Sequence, residues 1–130
     1  MPPERSDPVR VLLDEGLGAP DDGLADRRAS LPFVVVGLAR GAVDPAWLEL
    51  CDVALPEGDP ALERVEENLA AHPVAARTLA LLLRGVERRS LADGLVAESA
   101  AYSVLQSGPE FATWRAAHPP RRGYDEGPRV

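Results

Sequence analysis

The chain of 130 residues holds 14 basic side chains, all of them arginine, against 21 acidic ones, for a net charge of −7. That balance excludes a nucleic-acid surface, which needs a basic face, and a hydrophobic content of 45% excludes wholesale disorder. One domain with a single modest core is expected, built mainly of Leu, Val and Ala because aromatic residues make up only 5% of the chain.

Residues 1–8 are polar and proline-rich and predict a disordered N-terminus ahead of a module spanning 9–118. Val9 to Leu13 is a short apolar run closed by Asp14-Glu15-Gly16, which predicts a strand; Leu24 to Ser30 predicts one or two helical turns. Phe33-Val34-Val35-Val36 is the clearest strand, with three β-branched residues and no polar alternation, the pattern of a strand covered on both faces. Gly37 to Gly41 then reads as a glycine-flanked turn. Asp44-Pro45 starts a helix, since Asp caps free amides and Pro at the first helical position loses no bond. Cys51 to Leu55 predicts a further strand, so the expectation is α/β, with two or three short parallel strands in the first half.

The second half reads as helix. Asp59-Pro60 repeats the cap signal, Pro73 opens another helix, and Leu79 to Leu83 is apolar nearly all round, which predicts deep burial. Ser90-Leu-Ala-Asp93 and Ser107-Gly-Pro-Glu110 have the spacing of capping boxes. Residues 119–130, with three prolines and two glycines, predict a tail or linker.

Glu98 is the most informative single residue for chemistry. At about 100° per residue it falls within the stripe of Leu91, Leu95, Tyr102 and Leu105. A carboxylate buried there must be paired, hydrogen-bonded or titrated upward, and a structural buried acid is the favoured reading over a general acid or base. Phe111 and Trp114, three apart, form an apolar edge that suits core or, together with Tyr102, an interface. Gly37, Arg40 and Gly41 after a strand are candidates for lining a phosphate or oxyanion site, against the plainer reading of a turn. His72 and His118 each precede proline and lack a metal-ligand spacing, and no serine sits in a nucleophile-elbow pattern. The paired arginines at 27–28, 88–89 and 121–122 have acids close by and read as solvated helix faces or ends. Cys51 is the lone cysteine, so no intrachain disulfide or cysteine metal cluster is expected. No metal, cofactor or catalytic residue is expected. With neither signal region nor apolar run of spanning length, no membrane is expected and the cytoplasm is the expected compartment.

Two stretches carry a family resemblance. Leu31-Pro-Phe-Val-Val-Val-Gly37 followed by Cys51-Asp-Val-Ala-Leu55 resembles the strand, turn, helix and Cys-Asp strand of the crotonase superfamily, the enoyl-CoA hydratase/isomerase family. Leu69-Ala-Ala-His-Pro-Val-Ala-Ala-Arg77, Ala92-Asp-Gly-Leu-Val-Ala-Glu98 and Phe111-Ala-Thr-Trp-Arg115 resemble that family's closing helices, with Glu98 at the place of a recurrent acid. The run from Gly94 to Phe111 is similar to a region preceding a full crotonase core in some actinobacterial members. The departures carry equal weight. The early Ala-Gly-Gly-Asp-like segment of the family is absent, and Gly41-Ala-Val-Asp-Pro45 stands where the glycine run is expected. The interval holding the family's acids is missing, since Leu55 passes almost directly to Asp59. The resemblance therefore implies a non-catalytic accessory or N-terminal module, packing on a catalytic crotonase domain or subunit or self-associating through its helices. A stand-alone acyl-CoA-binding protein with a vestigial cleft is the alternative.

Overall fold

The computed structural model describes residues 7–121; the N-terminal segment 1–6 and residues 122–130 of the expected tail lie outside them. Three parallel strands, β1 (Val9–Asp14), β2 (Val35–Arg40) and β3 (Val53–Pro56), form one sheet in the order β1-β2-β3. α1 (Leu24–Ala29) links the first two strands and α2 (Pro45–Glu49) the second pair. Four longer helices follow: α3 (Ala61–Ala71), α4 (Pro73–Arg84), α5 (Leu91–Ser107) and α6 (Pro109–Ala117), with a 3-10 turn at Val86–Arg88. The α/β class and the parallel pairing match the expectation. Asp7, Pro8 and residues 119–121 carry neither helix nor strand.

The register sorts the sheet into two faces, because side chains alternate along each strand. Val36 and Leu38, with Val34, pack against Ala80 of α4, and Leu55, Leu62, Leu69 and Ala76 close around them. An ion pair from Arg10 on β1 to Glu66 on α3 spans the same side. The opposite face carries Leu13, Val35 and Gly37, all buried. Helices on both faces are what an all-parallel sheet requires.

β2 does not end where the glycine suggested. Gly37 is a mid-strand residue, and the turn begins only at Gly41, whose φ of +74° favours glycine. A Cβ at Gly37 would collide with Cys51 Sγ and lie 3.3 Å from Leu13 Cδ1. The missing side chain is thus the space that the Cys51 sulfur occupies, which outweighs the low strand propensity of glycine.

The local caps behave as their residue types dictate. Asp44 accepts from the Ala46 amide at 3.0 Å, Asp59 from Ala61 at 2.8 Å and Ser90 from Asp93 at 3.1 Å. The Ser107–Glu110 box does not form. Ser107 is the last residue of α5, and Glu110 instead reaches across 36 residues to the first turn of α4, accepting from Val74 at 2.7 Å and Ala75 at 3.0 Å. The carboxylate thereby satisfies two orphan amides at the positive end of the α4 dipole, while α6 itself starts without a side-chain cap.

One buried ion pair joins the two halves. Asp52, just before β3, and Arg84, the last residue of α4, have side chains only 8% and 2% exposed. Arg84 donates from Nε to Asp52 Oδ1 at 2.8 Å and from Nη2 to Oδ2 at 2.6 Å. Its remaining N–H groups go to the carbonyls of Leu31 (2.8 Å), Phe33 (2.8 Å) and Arg28 (3.2 Å). Val35 N–H completes the Asp52 cage at 2.8 Å. All five guanidinium donors are thereby used. Burial pushes the Asp52 carboxyl up, but the Arg84 hydrogen bonds, the Val35 amide and the charges of Arg84 and Arg28 outweigh it, holding the group below its usual range.

Removing either partner leaves an uncompensated buried charge, so Arg84→Leu and Asp52→Asn should each lose about 3–5 kcal/mol of stability in urea unfolding at neutral pH. Folding lowers the Asp52 pKa, so its contribution is full above the unfolded value of about 3.9 and is lost as pH falls through the lower folded value. Stability followed by urea unfolding between neutral pH and pH 2 should show that acid limb in the wild type, and Asp52→Asn should flatten it.

Candidate functional site

The turn after β2 does not frame a cleft. Gly37 is buried inside the sheet against Cys51, and the Arg40 guanidinium is engaged by Glu57, with Nε at 2.6 Å and Nη2 at 2.8 Å from its carboxylate. That pair holds Glu57 below its usual range and raises Arg40. At Gly41 the neighbouring Ala42 amide already donates to Glu15 at 3.0 Å. Around the expected cleft residues Gly37, Arg40 and Gly41, the Cys51 sulfur therefore fills the space beside the first, and carboxylates engage Arg40 and the Ala42 amide.

An open cleft of about 930 Å³ lies elsewhere, between the Ala19–Asp22 loop, α1, α2 and the end of α4. Arg28, Glu49, Leu83, Arg84, Val86 and Arg88 contribute to its walls. Arg84 has no donor left for a ligand, and Arg88 pairs with Asp26 at 2.8 Å. The mixed acids and bases around it give no field of one sign. Among the described residues no cluster of His, Cys, Asp and Glu has the arrangement to hold a metal ion.

The helical half is where the surface is unusual. Leu79, Leu81 and Leu83 on α4 are 53%, 41% and 58% exposed, and only Ala80 of that run is buried. The expectation of a deeply buried Leu79–Leu83 is therefore corrected. The physical reason is that α4 turns Ala76, Ala80 and Arg84, spaced by four, toward the sheet, which leaves the leucines on its flanks. α5 repeats the pattern. Its half-buried line is Gly94, Ala97, Ala101 and Leu105, while Leu91, Leu95, Val96, Tyr102 and Val104 are exposed. A shallow groove runs along Leu95, Val96, Ser99, Ala100 and Ser103.

Glu98 is exposed, so the reading of it as a buried acid is corrected. It does share a flank with Leu91, Leu95 and Tyr102, as the spacing predicts. That flank is turned roughly 80° from the covered line of small residues, at 100° per residue, and nothing in the described chain lies over it. None of the described arginines pairs with Glu98.

The aromatic edge is likewise outside the core. Trp114 is 52% exposed, and it stacks on half-buried Phe111 (5.8 Å between ring centres, 21°) and on His118 (4.7 Å, 16°). Tyr102 and Trp114 are therefore surface residues, available to an interface, and Phe111 is the ring that anchors the stack. Sequence reasoning missed Asp52, Arg84 and Glu110. A charged residue closing the apolar run at Arg84 was the available signal; the distance to Asp52 in the chain hid its partner.

Glu110 holds α6 against α4, so Glu110→Ala should lower stability by about 1–2 kcal/mol in urea unfolding, with a change in Trp114 fluorescence as α6 loosens. Comparison with protein-family models, curated proteins and solved structures finds no match to this chain.

Proposed function

We propose that this chain is a non-catalytic accessory or N-terminal module of a crotonase-like, enoyl-CoA hydratase/isomerase-type protein, which binds a catalytic unit or its oligomer through the outer surface of α4–α6. The observation that carries the association is the exposure of large apolar residues on three successive helices, among them Leu79, Leu83, Leu91, Leu95, Tyr102 and Trp114. Helices apolar on nearly every side belong to interiors, and exposed apolar surface on this scale marks a site of association. The crotonase identity of the partner rests on the resemblance of Leu31–Glu57 and Ala61–Pro119 to that family. The non-catalytic reading is supported by the engagement of Arg40 with Glu57 and of the Ala42 amide with Glu15, which leaves no prepared oxyanion site at that turn. A cytoplasmic setting goes with this reading, and the single free thiol of Cys51 suits a reducing compartment. No helix among the described residues is long and apolar enough to cross a membrane.

The test is to mix the purified chain with a catalytic crotonase subunit from the same source and measure the mass by light scattering after size exclusion. A complex that disappears with Leu95→Glu, while circular dichroism is unchanged, is the expected result. Absence of a complex, or one indifferent to Leu95→Glu, overturns the reading.

A further inference from the structure

We infer that the flank of α5 carrying Leu91, Leu95, Glu98 and Tyr102 takes a partner surface of one chemistry, an apolar helix with a basic side chain at its centre, and that Glu98 bars the same flank from pairing with a second copy of this chain. This deepens the association proposed above and rests on it.

The four side chains occupy one arc of about 60° on the helix, and Leu91, Leu95 and Tyr102 are 82%, 58% and 64% exposed. Such a strip favours contact with another apolar surface. Glu98 interrupts it with an exposed carboxylate that no described arginine neutralises. The acid also stands beside the middle of this 17-residue helix. When two copies of α5 pair antiparallel about a two-fold axis that crosses the strip at its middle, the residues at the axis meet their own copies. Glu98 then faces Glu98, two like charges brought out of water together, and the net charge of −7 on each chain adds repulsion on approach.

A partner with an arginine or lysine at that point removes both penalties. The carboxylate gains a charge-assisted hydrogen bond while the leucines are covered. Specificity of this kind combines one attractive pair with one repulsive alternative, as single polar positions do in coiled coils. α5 itself carries acids at Asp93 and Glu98 and no basic residue, so the cation must come from outside the helix.

The chain can supply its own probe. Glu98→Arg presents the same apolar strip with the charge reversed, and the exposed position leaves the fold undisturbed, which circular dichroism checks. Sedimentation velocity at tens of micromolar protein should show wild type alone and Glu98→Arg alone as monomers. Their equimolar mixture should contain a heterodimer at least tenfold tighter than either self-complex, and Leu95→Glu in either chain should abolish it. A wild-type dimer that Leu95→Glu dissolves overturns the charge rule and leaves the docking role of the helices standing. A mixture that stays monomeric overturns the proposed surface. Binding of the crotonase subunit, measured in parallel, then tells whether the wider reading falls with it.

Discussion

The clamp between Arg84 and Asp52 is the constraint on which the rest of the molecule depends. Among the described residues the sheet has three strands, and few side chains are fully enclosed. A core that small does not by itself fix how the helices sit on the strands. Arg84 supplies the missing definition, because one guanidinium reads the carbonyls of Arg28, Leu31 and Phe33, the carboxylate before β3 and, through it, the first amide of β2. Buried ion pairs contribute little net stability over well-packed apolar residues. What the structure shows is that all five donors of this guanidinium are satisfied at once by groups from several elements.

A second long-range polar contact sets the other end of α4. Glu110 occupies the N-terminal amides of that helix, while Arg84 occupies its C-terminal end. α4 is therefore held at both termini, at one by the Glu110 carboxylate of α6 and at the other by its own Arg84 reaching to Asp52, and its apolar flanks are left free. Two of the chain's long-range polar contacts thus fix this inner helix, while many large apolar side chains of α4 and α5 face outward. An outer helical layer built this way makes sense when a further surface completes it.

Much of the fold was legible because its signals are local. Three β-branched residues at Val34–Val36, the Asp-Pro starts at 44–45 and 59–60, and Ser90 before an apolar run each act within a few residues. What was hidden is non-local or depends on volume. Gly37 lies inside β2 because Cys51 fills its side-chain space, a contact that no propensity scale encodes. Glu98 was correctly placed on an apolar flank, yet periodicity describes which residues share a side and is silent on whether anything covers it. The same limit explains Leu79–Leu83, where apolar character was read as burial, and Trp114, whose stack is exposed. The turn at Gly41 was legible as a turn, but the carboxylate of Glu15 accepting from the Ala42 amide was not.

The sulfur seated over Gly37 gives the sheet a chemical clock. Burial pushes the Cys51 thiol up, beyond what Arg28 offsets, so the nucleophilic thiolate is scarce at neutral pH. The thiol donates to the Trp47 carbonyl at 3.5 Å, and the Trp47 indole in turn holds the Gly18 carbonyl at 2.6 Å. Cys51 is half-buried, so an alkylating reagent reaches its sulfur at a rate set by how closely the junction between α2 and the centre of β2 is packed. The labelling rate of this one cysteine therefore reports the packing of that junction from a single atom.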